Sequence, residues 1–283
     1  MSSSAETLTS PAFAEDNAAV AEDEALLPAV VAAVKAAGVH LRERFSPGSR
    51  LDSLEEVVAA IHANDDASLE LLRGPLERAR PGARWAEDEL AGGALPAGEW
   101  WVTDPVEGNI NHIHGMTEWA MTATLVRDNR PVLTAVHLPL TGETYTAVRG
   151  GGAHLDGVRL RHSAKMRLDG ALVGTGQAKP GENAQTFDRI GRSVTAMLRN
   201  ALVTRVSVPA TLQLIQIAAG RMDVFWQYSE VRSGLVAGAL LVAEAGGTVT
   251  DTLGRPWGLA SEDFLAAAPG LHAAAVAVLS AIR

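Results

Sequence analysis

The sequence of 283 residues contains no cysteine, which excludes disulfide bridges, thiolate metal sites and a cysteine nucleophile. Basic residues are also scarce: 24 lysines and arginines stand against 33 aspartates and glutamates, so the formal net charge at pH 7 is −9. This charge, without a basic patch, argues against a nucleic acid or an anionic membrane as partner. The lack of cysteine fits a reducing compartment, and we expect a cytoplasmic protein.

Long apolar runs are missing as well. A membrane-spanning helix needs about 20 apolar residues, whereas the best candidate, residues 26–39, is shorter and contains Lys35. The first 23 residues are rich in serine, alanine and acidic residues, and they lack the cationic and apolar regions of a signal peptide. We therefore expect a disordered acidic tail over residues 1–23 and no association with a membrane.

Two widespread catalytic motifs are absent or out of context. No G-x-S-x-G sequence occurs, which argues against a serine hydrolase with a nucleophile elbow. Gly150-Gly151-Gly152 imitates a dinucleotide-binding loop, but strand-like residues precede it and no helix follows. We interpret these glycines as part of a hairpin.

The rest of the chain alternates between helical and strand-like periodicities. Helices are predicted over residues 24–45, 53–79, 183–200, 211–219, 235–245 and 271–282, with a helix-like segment at 109–114. Strands are predicted over residues 83–87, 99–103, 120–127, 132–137, 144–148, 172–175, 203–206, 223–227 and 248–250. Strands and helices mixed in this order predict a layered α/β (α+β) sandwich. We expect one domain over residues 24–283, with halves at about 24–165 and 166–283.

Acidic residues gather where two predicted strands end. Glu87-Asp88-Glu89 follows the first strand, and Asp104 and Glu107 follow the second in the segment WVTDPVEGN. Carboxylates at neighbouring strand ends repel one another unless a proton or a cation lies between them. Such oxygen ligands suit Mg²⁺, Mn²⁺ or Ca²⁺. The residues alone leave open a metal site, an acid/base pair or a solvated turn.

Four segments in chain order carry a resemblance to a known family. They are Trp85-Ala86-Glu87-Asp88, WVTDPVEGNINHIHG at 101–115, GETYTAVRGGGAHLDGVRLRHS at 142–163, and Gly220-x-x-Asp223 with EAGGTVTD at 244–251. The set is similar to the signatures of the inositol monophosphatase family of Mg²⁺-dependent sugar and nucleotide phosphatases. This resemblance covers residues 24–283 and implies an α-β-α-β-α sandwich and a homodimer.

The resemblance also implies a set of site residues. Carried over residue by residue, the metal ligands are Glu87, Asp104, Glu107 and the carbonyl of Val106, which would hold Mg²⁺ or Mn²⁺. The implied catalytic residues are Glu87, Asp104, Glu107 and Asn109, with Glu87 and Asn109 orienting the attacking water. The implied positions for substrate or phosphate are Gly108, Asn109, Ala210, Gln227, Arg232 and Gly234, and Gln227 stands where family members often have an acid.

Three positions depart from the family pattern. Glu107 replaces an aspartate, and its extra methylene moves the carboxylate by about 1.5 Å, beyond the ~0.5 Å tolerance of a catalytic site. Asn109 replaces a threonine whose hydroxyl helps to orient the water. Gly234 falls on the aspartate of a Trp-Asp dipeptide, so one ligand of a second metal is missing. Glu230 or Arg232 could swing in, and Arg232 could replace a metal's positive charge near a phosphate.

The sequence therefore predicts a metal-dependent phosphatase for a small phosphorylated polyol, sugar or nucleotide. One alternative is the same scaffold used for lyase, dehydratase, isomerase or cyclase chemistry without metal. In that case Glu107, Asp104, Glu87 or His112 would act as acid and base. A second alternative is a non-enzymatic protein that binds a small ligand in the same pocket.

Overall fold

The computed structural model describes residues 11–88, 91–229 and 231–282. In these residues the helices are α1 (Pro11–Arg44), α2 (Leu54–Ala79), α3 (Asn109–Ile113), α4 (Ala184–Leu198), α5 (Ala210–Ala218), α6 (Arg232–Glu244) and α7 (Pro269–Leu279). The strands are β1 (Arg84–Trp85), β2 (Glu99–Glu107), β3 (Ala120–Arg127), β4 (Arg130–His137), β5 (Thr144–Val148), β6 (Gly152–Leu155), β7 (Val158–Arg159), β8 (Leu172–Thr175), β9 (Val203–Val206), β10 (Val224–Gln227), β11 (Thr248–Thr250) and β12 (Phe264–Ala267).

The strands form two sheets that alternate with three helical layers. The first sheet has the order β1-β2-β3-β4-β5-β6-β7, and the second has the order β11-β12-β10-β8-β9. Helices α1 and α2 cover the outer face of the first sheet, α5 and α6 pack between the sheets, and α4 and α7 cover the second sheet. The predicted α-β-α-β-α sandwich is confirmed.

The first sheet is buried on both faces, and its strands supply two hydrophobic cores in alternation. Trp101 and Leu125 point to the core under α1 and α2. Val102 and Val126, one residue further along each strand, belong to a cluster on the other face with Val236 of α6. This period of two is the geometry of a strand, and it explains why these segments read as almost continuous apolar runs.

Most predicted elements are present, with differences at short or weakly patterned segments. The predicted strand at 83–87 is reduced to Arg84–Trp85, and β6, β7 and β12 were not predicted. Helix α2 begins where expected because the Ser53 side chain accepts a hydrogen bond from the Glu56 N–H, 3.2 Å away.

Helix α1 differs from the expected disordered tail. It starts at Pro11, and Asp23 within it is buried, at 3% exposed. Residues 1–10 lie outside the described residues. The serine and acidic composition suggested disorder, but an ion pair with the sheet compensates the Asp23 charge.

Helix α1 also corrects the expectation about apolar runs. By length and composition alone, its segment Asn17–Arg44 passes the test for a membrane span. One face of the segment is buried against the sheet through Val30, Ala33, Val34, Ala37 and Leu41. That burial is typical of the core helix of a folded domain.

Five charged residues join α1 and α2 to the first sheet. Arg127 of β3 donates two hydrogen bonds to Asp23, at 2.8 and 3.0 Å, and one to Glu99, at 2.8 Å. Arg80, the residue directly after α2, also donates to Glu99, at 2.7 and 2.9 Å, and pairs with Glu22. Because the Asp23 side chain is only 4% exposed, its charge depends on Arg127.

Replacing Arg127 with alanine should destabilise the protein. Arg127→Ala leaves Asp23 buried without its cation, and we expect the free energy of unfolding to fall by about 2–3 kcal/mol. Urea denaturation at neutral pH measures the change. Arg167→Ala is the matched control, since Arg167 and its partner Asp169 are both exposed and no change is expected. Equal effects of the two substitutions would contradict the structural role of the Asp23 pair.

The same cluster should make stability depend on acid pH. Hydrogen bonds from Arg80, reinforced by Arg127, hold the pKa of Glu99 below its ordinary value of 4.5, although burial opposes this. The stabilisation by Glu99 is therefore complete above about pH 4.5 and is lost as the pH falls through the lowered pKa. The difference in unfolding free energy between wild type and Glu99→Gln should shrink over that range. If this difference stays constant from neutral pH to about pH 3, the contribution of ionised Glu99 to stability is refuted.

Candidate active site

The signature segment lies on a cavity of about 400 Å³ at the end of β2. Strand β2 ends at Glu107, and Gly108 turns the chain into α3 with a φ of 85°. A Cβ at Gly108 would lie 2.7 Å from the Glu118 carbonyl oxygen, so only glycine fits. The cavity brings together eight of the predicted site residues: Asp104, Val106, Glu107, Gly108, Asn109, Ala210, Gln227 and Gly234.

A one-residue bulge places the two signature carboxylates on the same side of β2. In a regular strand, residues 104 and 107 would point to opposite faces. Here Asp104 pairs with Thr122 and Glu107 pairs with Ala120, so three steps along β2 match two steps along β3. The extra residue of the bulge lies between Asp104 and Glu107, and it restores a common face. Both carboxylates therefore line the cavity.

Asp104 and Glu107 have different surroundings. Asp104 is half-buried, and its Oδ1 accepts a hydrogen bond from the Val106 N–H at 3.1 Å. Glu107 is 3% exposed, and the Thr211 hydroxyl lies 3.1 Å from its Oε2 as donor. Asp104 is thus the more accessible of the two carboxylates.

The side chain of Asn109 ties α3 to α2. Its Nδ2 donates to Asp65 Oδ1 at 2.7 Å and to the Ile61 carbonyl at 3.0 Å, and its Oδ1 accepts from Asn64 Nδ2 at 3.0 Å. Both donor hydrogens and one acceptor position are in use. This arrangement is that of a positioning residue, whereas the sequence suggested that Asn109 orients a water.

His112 lies next to the cavity wall rather than on it. Its Nδ1 accepts from Asn64 Nδ2 at 3.0 Å, and its Nε2 donates to the Leu41 carbonyl at 3.1 Å. The ring packs edge-on against Trp119, with centroids 4.8 Å apart, and is 3% exposed. Burial lowers the pKa of His112, so the imidazole is neutral at pH 7. The suggested role of His112 as an acid or base finds no support in this geometry.

Besides His112, two predicted site residues are not brought to the cavity. The exposed Glu87 carboxylate pairs with Arg73, whose Nη2 lies 2.6 Å from Glu87 Oε1, and Arg73 also lies over the Trp85 ring. Arg232 donates to the carbonyls of Gly92 and Gly93, with a shortest distance of 2.6 Å. With these partners, neither Glu87 nor Arg232 lines the cavity. Glu230 lies outside the described residues.

Two further side chains of the cavity wall lie outside the predicted set of site residues. Asp65 of α2 and Lys179 of the loop after β8 both line the cavity. Lys179 is the one basic side chain among the described residues of the wall. The position of the loop after a predicted strand is a signal that it could line a site, but no sequence motif identifies Lys179.

The donor atoms of the cavity fit one hard cation better than several. Carboxylates of Asp104 and Glu107 and the Val106 carbonyl are oxygen ligands, and Mg²⁺ often takes one or two carboxylates with water and a substrate phosphate. Within the described ranges, no three or more His, Cys, Asp or Glu side chains converge as a metal site. With Glu87 paired elsewhere and no side chain at Gly234, the implied set of several metals does not fit.

Comparison with known proteins agrees with this fold and motif order. Residues 22–283 match the inositol monophosphatase family. An inositol-1-monophosphatase of Rhizobium meliloti (strain 1021) is 34% identical over 233 residues, which cover 81% of this chain and 86% of that protein. Nus factor SuhB of Pseudomonas aeruginosa is 38% identical over 154 residues, covering 54% of this chain and 57% of that protein.

Solved structures show the same architecture. An inositol monophosphatase from Anabaena (Nostoc) sp. PCC 7120 has a TM-score of 0.77 over 92% of this chain and 97% of that chain, at 23% identity. At this identity the likeness concerns the fold. The family match, in contrast, spans nearly the whole described chain. This chain therefore belongs to the inositol monophosphatase family.

Proposed function

We propose that this chain hydrolyses a small phosphate monoester in the cavity at the end of β2. One Mg²⁺ or Mn²⁺ would be held there by Asp104, Glu107 and the Val106 carbonyl. The observation that carries this proposal is the bulge in β2, which turns both carboxylates toward one cavity. The relative from Rhizobium meliloti, named an inositol-1-monophosphatase, supports an inositol phosphate or a similar polyol phosphate as substrate.

The charges of the wall make a cation necessary for this substrate. Asp65, Asp104 and Glu107 line the cavity together with one lysine, Lys179. A phosphate dianion beside ionised carboxylates would be repelled. When bound, the cation supplies positive charge to the phosphate and lowers the pKa of a coordinated water.

The protein's own groups bind and orient the substrate. Gly108 gives the phosphate close access to the backbone, since it carries no side chain at the turn. Asn109 contributes its backbone N–H, because its amide side chain is bound to α2. The apolar residues Ile61 and Pro209 line the same cavity and limit the access of bulk water.

Two acid-to-amide substitutions test which carboxylates act. Asp104→Asn should lower kcat by at least about 100-fold, because it removes a metal ligand. Glu87→Gln should leave kcat within about threefold, because it breaks an exposed ion pair outside the cavity. The measurement is Mg²⁺- or Mn²⁺-dependent phosphate release from inositol, sugar and nucleotide monophosphates.

Two results would contradict this proposal. One is the absence of phosphate release from every substrate at millimolar metal. The other is an equal loss of kcat in Asp104→Asn and Glu87→Gln, which would mean that Glu87 acts in the site. Circular dichroism of both variants controls for folding.

The second candidate, metal-free acid/base chemistry through His112, makes a different prediction. Because both ring nitrogens are hydrogen-bonded away from the cavity, His112→Gln should not change the pH profile of kcat/KM. The effect of His112→Gln should appear in the free energy of unfolding. Burial lowers the pKa of His112 below 6.5, so wild type loses stability as the pH falls below about 6.5, where the unfolded chain takes up a proton.

In His112→Gln, part of that acid-dependent loss should disappear. Urea denaturation at about pH 7 and about pH 5.5, with wild type as reference, measures it. A basic limb of the kcat/KM profile that vanishes in His112→Gln would favour the acid/base candidate instead.

The remaining expectations stay predictions. They are a homodimer, a cytoplasmic location and the absence of a nucleic-acid partner. The net charge of −9 supports the last of these. The name of the Pseudomonas aeruginosa relative, a Nus factor, points the other way.

A further inference from the structure

Gly234 is a buried glycine in the first turn of α6. Glycine is disfavoured inside helices because it loses more backbone freedom than other residues. The residue has no positive φ that would require glycine. A reason for glycine must therefore come from its surroundings.

The neighbour that matters is the Glu107 carboxylate. A Cβ built on Gly234 would lie 3.8 Å from both Glu107 Oε1 and Oε2. The Thr211 hydroxyl joins the two residues, since it lies 3.1 Å from Glu107 Oε2 and 3.0 Å from the Gly234 carbonyl. The long side chain of residue 107 thus ends directly against the backbone of α6.

We propose that the Glu107 carboxylate fills the space of a side chain at position 234, and that this limits the cavity to one cation. A distance of 3.8 Å is an ordinary contact, so alanine fits at 234. The next atom of a longer side chain lies about 1.5 Å further out, and in a rotamer directed toward residue 107 it meets the carboxylate. The claim that the Glu107 carboxylate fills this space does not depend on the proposed function. The claim that the cavity holds one cation rests on the proposed function.

The two positions then act as a reciprocal pair. Shortening Glu107 to aspartate withdraws its carboxylate by one methylene and frees space in front of Gly234. An aspartate at 234 then adds a second carboxylate to the wall. Two facing carboxylates repel each other unless a cation lies between them. The chain with both changes should therefore hold one more cation than wild type.

Calorimetric titration of the metal-stripped protein with Mn²⁺ tests the count. Wild type, Glu107→Asp, Gly234→Asp and the double variant are compared, and Gly234→Ala is the control. We expect the double variant to bind one Mn²⁺ more than wild type, and Gly234→Ala to bind as many as wild type. A double variant with the wild-type count, or Gly234→Asp alone with one more, would overturn the proposal.

Thermal unfolding in EDTA tests the space without metal. Gly234→Asn has the shape of aspartate without its charge, and we expect it to lower Tm by at least about 4 °C. Adding Glu107→Asp should recover part of that loss. Additive losses in Tm would overturn the proposal even if the aspartate double variant failed to fold.

Failure of this proposal and failure of the proposed function can be told apart. A wild-type protein without phosphate release would refute hydrolysis, while the coupling in Tm and the gain of one Mn²⁺ could still be observed. Conversely, an active wild type without coupling between residues 107 and 234 would refute the pair alone.

Discussion

The bulge in β2 is the feature on which the site depends. Asp104 and Glu107 are three residues apart, and a regular strand would send one of them to each face of the first sheet. The register against β3 shows one extra residue between them. With that residue, both carboxylates reach one cavity. The shared role inferred for these two carboxylates follows from this local change of register.

Contacts from the helical layers then set the shape of the cavity. Asn64 of α2 donates one amide hydrogen to Asn109 and the other to His112, which fixes the short helix α3 against α2. From the opposite side, Thr211 of α5 holds Glu107 against the start of α6. The carboxylates therefore stand between two rigid supports, as a catalytic or binding site requires.

Local patterns predicted a layered α/β fold, whereas the five layers and the site residues were implied by the resemblance to the inositol monophosphatase family. Apolar periodicity marks buried strands and helices, and the order of motifs places Asp104, Glu107 and Gly234 together. The prediction was weaker for side chains whose partners are distant in sequence. Glu87 pairs with Arg73, and the local sequence pattern does not predict that ion pair.

The expectation of disorder at the start of α1 differs from the structure for a related reason. Its serine and acidic composition indicated disorder, but Arg127, more than a hundred residues later, compensates Asp23. In the sequence, the substitution at Glu107 and the missing side chain at Gly234 are separate departures from the family pattern. In the structure the two residues are neighbours, with the carboxylate of one against the backbone of the other.

The central claim is that this cavity holds one catalytic cation between Asp104 and Glu107. The most direct test is a crystal structure with Mn²⁺ and inorganic phosphate, in which anomalous scattering locates the metal. The account predicts one manganese peak, bound by Asp104, Glu107 and the Val106 carbonyl. A peak on Glu87, a second peak beside Gly234, or no peak in this cavity would contradict it.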